Sequence, residues 1–96
     1  MPFDRHRQTL QQSAGNLRCS EVKQILEDLG FRVRDGRKGG HKLYTHPGIQ
    51  EFFGSSYNCG HGSNPEVKKP YIRKIVRTLD TYESEIRDYL KGRTNV

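Results

Sequence analysis

SEVKQILEDLGFRVRDG, residues 20–36, changes its period partway along. From Ser20 to Leu29, the residues Val22, Ile25, Leu26 and Leu29 recur at i, i+3, i+4 and i+7, so their side chains share one face of a helix. Ser20 is the expected N-cap, Glu21 sits at the positive end of the helix dipole, and Gly30 supplies a left-handed stop. The period then falls to two. Phe31 and Val33 alternate with Arg32 and Arg34, which predicts a strand with one apolar and one basic face. Asp35-Gly36 opens a turn, and Gly39-Gly40 extends it.

Outward from this stretch, His41 to Thr45 reads as a second strand, closed by Pro47-Gly48. A third strand is expected within Ile49 to Tyr57, around Phe52 and Phe53. NCGHGSNPEVKK, residues 58–69, has loop composition. Pro70 suits the first turn of a second helix, whose apolar face is Ile72, Ile75, Val76 and Leu79. That helix either continues through Tyr82, Ile86 and Leu90 or breaks near Asp80-Thr81. The order predicts an α+β fold: a small two-layer sandwich of a three-stranded antiparallel sheet with two helices on one face. The other sheet face is expected to be open and basic, through Arg32 and Arg34, with Lys42 and Tyr44 as further candidates. Residues 1–16 read as an N-terminal extension, with Phe3 and Leu10 on a short helix. Residues 17–96 read as a single domain, with its core at 20–79 and a C-terminal helical tail.

Composition narrows the class. Ninety-six residues suffice for one small domain, and a hydrophobic content of 31% allows only a thin core. No run approaches the ~18 apolar residues of a membrane span, and no signal peptide is recognisable. Cys19 and Cys59 make no disulfide framework, so a reduced, cytoplasmic protein is expected. The net charge of +6 favours a polyanionic partner, nucleic acid first. Residues 31–79 carry ten Lys or Arg against three acids, whereas the rest of the chain is close to neutral. Charge gathered into one segment points to a binding patch rather than a generally solvated surface.

His41 follows the glycine turn directly, with Arg37, Lys38 and Lys42 beside it. RNA can be cleaved without metal by its own 2′-hydroxyl, given a base for that proton and an acid for the leaving 5′-oxygen. An ordinary histidine titrates near ~6.5 and can serve as either. The cations suit a phosphate, and Gly39 and Gly40 let backbone N–H groups approach it. The same turn would also serve plain RNA binding, or carry His41 as a surface residue. His61 reads either as a second acid/base group or as a polar loop residue, and His46 as the end of a strand. Lys68, Lys69, Arg73 and Lys74, at the start of the last helix, are candidates for phosphate contacts. Tyr44 and Tyr57 either stack on bases or fill strand faces. A zinc site from His41, His46, Cys59 and His61 is disfavoured, because there is no CxxC or HxxxH pair. No metal or cofactor is expected.

The ordered segments LEDLGF, KGGHKLYTHP, GHG and KKPYIRKIVRTL resemble the HicA toxins, small ribonucleases of toxin–antitoxin pairs with a fold similar to the double-stranded RNA-binding domain. The resemblance covers roughly Ser20 to Leu79. It implies a metal-independent endoribonuclease acting on mRNA, with His41 catalytic and His61, in GHG, the nearest equivalent of the Pro-His or His-rich step that the family often has before its last helix. It also implies RNA contacts from Arg37, Lys38, Gly39, Gly40, Lys42, Lys68, Lys69 and Arg73, and a HicB-like antitoxin as protein partner. The family motif reads Gly-Ser-His, often followed by a second His; here Gly40 replaces the serine and Lys42 the second histidine. Two rival expectations stand beside this one. One is a non-catalytic RNA-binding module. The other is a structural domain that associates through Tyr82, Ile86 and Tyr89.

Overall fold

The apolar stripes of the helices close over one face of a three-stranded antiparallel sheet in the computed structural model, which describes residues 2–94. In chain order the elements are α1 (Pro2–Gln12), α2 (Cys19–Asp28), β1 (Arg32–Asp35), β2 (His41–Thr45), β3 (Ser55–Asn58), α3 (Lys69–Thr81) and α4 (Glu83–Thr94). The α+β expectation is met, with α2, the three strands and α3 as the central run. Val22, Ile25 and Leu26 of α2 are buried, as are Ile72, Ile75 and Leu79 of α3.

The sheet order is β1-β2-β3, and its register assigns the faces. Val33 lies opposite Tyr44, which lies opposite Ser55; Asp35 lies opposite Lys42, which lies opposite Tyr57. Tyr44 and Tyr57 are fully buried, so this is the helix-covered face. The other face carries Arg32, Arg34, His41, Leu43 and Asn58. The expectation that Lys42 and Tyr44 join the open basic face is therefore corrected. Residues adjacent in a strand point to opposite sides, so placing His41 outward turns Lys42 inward. There the Lys42 ammonium pairs with Asp35 and holds that carboxyl below the usual range.

Two boundaries differ from those expected. The first is the third strand, which begins at Ser55. Phe52 instead packs its ring against Phe31, Tyr44 and Tyr82, and Gly54 turns the chain at φ 111°. Phe53 is left 94% exposed. Secondly, the N-cap of α2 lies two residues earlier, at Arg18 instead of Ser20. The Arg18 N–H donates to Glu21 Oε1 at 3.0 Å, and Ser20 N–H donates to Asn64 Oδ1 at 2.9 Å. A loop residue distant in sequence thus satisfies one of the helix's free N–H groups. Of the two alternatives for the last helix, the break near Asp80-Thr81 is the one found: the chain leaves helix at Tyr82, giving α3 and α4.

The N-terminal extension packs onto the rest of the fold through α1. Phe3 and Leu10 are fully buried, and the Arg7 guanidinium grips Asp80 of α3 through bonds of 2.6 and 3.0 Å. Arg87 of α4 binds Asp4 and lies 4.6 Å over the Phe3 ring. Ile86 is also fully buried, and Tyr89 packs edge-on to His46 with ring centroids 4.8 Å apart. Internal packing uses the α4 face on which the self-association reading depends.

The structure joins Cys19 and Cys59 in a disulfide, with Cα atoms 5.4 Å apart across a sequence separation of 40. The expectation of two independent thiols is corrected, and the compositional argument for a reducing compartment goes with it. The pairing follows from a backbone seam. Cys19 N–H donates to Pro65 O, and Val67 N–H donates to Leu17 O, which draws the start of α2 onto the loop before α3.

His46 is a core residue. Its Nδ1 accepts from Gly48 N–H at 3.0 Å, so the ring proton sits on Nε2 and donates to Leu29 O at 3.0 Å. Burial pushes this imidazole below the usual histidine value, and the bond to Leu29 opposes that in part. As pH falls through about 6.5, the unfolded chain takes up the proton first, so stability is complete above that point and declines below it. Urea midpoints are expected to fall as pH drops below about 6.5, and His46→Gln, which does not titrate, is expected to flatten that decline. Addition of a dithiol is expected to lower stability by about 3–4 kcal/mol, the loop-closure entropy of a span of 40 residues, read as a drop in the thermal midpoint.

Candidate functional site

Between β1 and β2 the chain closes through Gly36 N–H to His41 O at 2.8 Å and His41 N–H to Lys38 O at 3.1 Å. These bonds put Arg37 and Lys38 at the exposed tip and His41 at the first position of β2. A side chain at residue 36 would run into the His41 imidazole, so Gly36 makes room for the ring.

The two turn glycines do different work. Gly40 has φ 82°, and a Cβ there would lie 2.6 Å from Gly60 O. Cys59 N–H also donates to Gly40 O at 2.7 Å. The β1–β2 turn therefore sits flush against the Cys59-Gly60 backbone, with no space for a side chain. Around Gly39, by contrast, there is open space. The serine that the resembled motif has at position 40 does not fit this backbone.

The turn, the end of β3 and the start of α3 enclose a cleft of about 890 Å3. Arg37, Lys38, Gly39, His41, His61 and Lys68 all line it, together with Asn58, Tyr71 and Glu66. His41 is half-buried and faces Asn58 across the β2–β3 pairing. His41 Nδ1 lies 2.8 Å from Asn58 Oδ1, and Asn58 Nδ2 donates to the Tyr71 hydroxyl at 2.8 Å. Among the described residues nothing bonds His41 Nε2, and no acid pairs with Arg37, Lys38 or Lys68. The cleft thus holds two imidazoles and a set of free cations. That combination suits a phosphodiester, whose charge the cations offset while a histidine moves a proton.

The expected site residues divide accordingly. Lys42 lies on the far side of the sheet, paired with Asp35. Lys69 and Arg73 line a separate groove between α1 and α3, where the Lys69 stem lies against Gly15. Tyr44 and Tyr57 are buried and unavailable to bases. His46 is held in the core, and Cys59 is taken by its disulfide. No three His, Cys, Asp or Glu side chains gather as a metal site among the described residues. Asn58, Tyr71 and Gly36 were not foreseen. For Asn58 the mark in the sequence is that NCGHG continues directly from Tyr57, which becomes informative once β3 is known to end at Asn58; Gly36 was legible as a turn residue but not as the one that makes room for His41.

Comparison with known proteins finds no matching family model, no matching curated protein and no matching solved structure.

Two glycine variants test the site's construction. Gly40→Ser is expected to cost about 2 kcal/mol or more, from a left-handed backbone and a collision with Gly60. Gly39→Ala, in open space, is expected to stay within about 0.5 kcal/mol of the parent. Denaturant titration of both reads the difference.

Proposed function

We propose that this protein is a HicA-like, metal-independent endoribonuclease, the toxin of a type II toxin–antitoxin pair, acting on mRNA. One observation carries the reading most: His41 and His61 line the same cleft as Arg37, Lys38 and Lys68, although 23 residues lie between Arg37 and His61 in the sequence. In the reaction, His41 takes the proton of the RNA 2′-hydroxyl. The 2′-oxygen attacks the adjacent phosphorus, the bond to the 5′-oxygen breaks, and that oxygen takes a proton from His61. The products are a 2′,3′-cyclic phosphate and a 5′-hydroxyl. Arg37, Lys38 and Lys68 offset the charge that grows on the phosphoryl oxygens. Such acid–base assistance typically contributes about 10²–10⁴-fold.

Lys42 has no part in this chemistry, and Lys69 and Arg73 are not assigned to the scissile phosphate. A HicB-like antitoxin with an acidic contact surface would block the cleft and complement its charge. Among the described residues no helix is long and apolar enough to cross a membrane. The reading locates the protein in the cytoplasm, where the glutathione pool would act on the Cys19–Cys59 pair.

The rival reading is an RNA-binding module that does not cleave. The departure at residue 40 does not favour it, because the backbone there excludes any side chain.

Incubation of the purified protein with mixed cellular RNA in EDTA tests the proposal. The parent is expected to cleave. His41→Ala is expected to lose at least about 100-fold in rate with gel-shift affinity retained, and Lys42→Ala to cleave like the parent. RNA bound but left intact by the parent would replace the enzyme with the binding module.

A further inference from the structure

Asn58 and Tyr71 form a chain behind His41 that no acid–base role accounts for. His41 and Asn58 are opposite residues of the β2–β3 pairing, which brings their Cβ atoms within about 4.5–5.5 Å. The next pair is closed by Cys59 N–H to Gly40 O, and the Cys19–Cys59 disulfide holds Cys59. The backbone on both sides of this contact is therefore fixed. Tyr71 reaches it from the first turn of α3.

The hydrogen bonds have a direction. Asn58 gives an amide N–H to the Tyr71 hydroxyl, which turns its carbonyl oxygen toward His41 Nδ1, 2.8 Å away. A carbonyl oxygen accepts only, so the nitrogen facing it carries the proton. The neutral imidazole then has its lone pair on Nε2, the nitrogen with no protein partner among the described residues. We infer that Asn58, oriented by Tyr71, is a positioning residue that holds His41 in the Nδ1–H tautomer, leaving Nε2 as the proton acceptor of the cleft. This deepens the ribonuclease reading and rests on it for its catalytic consequence; the tautomer itself does not depend on it. The logic is that of histidine sites in general, where the bond made by one ring nitrogen sets the state of the other.

The readout is the tautomer, followed by nitrogen-15 NMR of the histidine rings in the full chain at mildly alkaline pH. The expected spectrum shows His41 protonated at Nδ1. Asn58→Ala is expected to shift it toward the Nε2–H form that a free imidazole prefers. Tyr71→Phe keeps the ring and removes only the hydroxyl, and is expected to shift the population part of the way. With RNA as substrate, Asn58→Ala is expected to lower kcat about 10–100-fold with little change in KM. Asn58→Asp accepts the same N–H and is expected to restore the tautomer and much of the rate. Its added negative charge should move the pH–rate profile toward higher pH. A merely structural asparagine would give no rescue by aspartate. An Nε2–H signal in the parent, or an Nδ1–H signal unmoved in both Asn58→Ala and Tyr71→Phe, would overturn the inference. A parent that shows the Nδ1–H tautomer but leaves RNA intact would sustain the positioning role and remove the ribonuclease.

Discussion

The close approach of Gly40 to Cys59 and Gly60 is the constraint on which the rest of the molecule depends. At Cys59 three links converge: a disulfide to the start of α2, a backbone bond to the β1–β2 turn, and a peptide link to Asn58, which holds the His41 ring. Gly40 must lack a side chain for the turn to reach this point. From there the geometry propagates. The loop from Gly60 to Val67 is pinned at one end by the disulfide and at the other by bonds to Leu17 and Cys19. His61 is carried between those pins, and Lys68 follows them as the N-cap of α3.

Charge is distributed to match. The acids of α1, α3 and α4 are largely used internally: Asp80 by Arg7, Asp4 and Glu83 by Arg87. Each partner guanidinium holds Asp4 and Asp80 below the usual carboxylate range. The basic middle of the chain has few acids to consume its cations, so Arg37, Lys38 and Lys68 remain free at the cleft. The exposed ion pairs contribute little stability individually, and most of the fold's stability comes from the buried apolar faces and the aromatic cluster around Phe31. The unpaired cations of the basic middle include three at the cleft, while Lys42 is paired with Asp35 and Lys69, Arg73 and Arg77 line the groove between α1 and α3.

The sheet also explains why neighbouring residues in one motif part company. His41 and Lys42 are adjacent, yet one faces the cleft and the other the helix layer. Lys68 and Lys69 are adjacent as well, and serve different grooves. A basic cluster in the sequence is a one-dimensional observation, and the pleat and the helical turn divide it between surfaces.

Most element types were legible from local pattern. The 3.6-residue stripes of α2 and α3, the alternation in β1 and the glycine turn before His41 are local patterns, and local patterns need no partner to be read. The sequence also marked His41, Arg37, Lys38, His61 and Lys68, through residue chemistry and motif order. Which of these meet depends on how the chain folds back on itself. The Cys19–Cys59 pair, the Asn64 bond to Ser20 and the docking of α1 through Phe3 and Leu10 all join residues distant in the chain. No local periodicity encodes such contacts. The third strand was misplaced because Phe52 and Phe53, adjacent aromatics, leave its face undetermined until Phe52 finds Phe31 and Tyr44. Asn58 stayed hidden for the same reason: its contact with His41 depends on the register of β2 against β3.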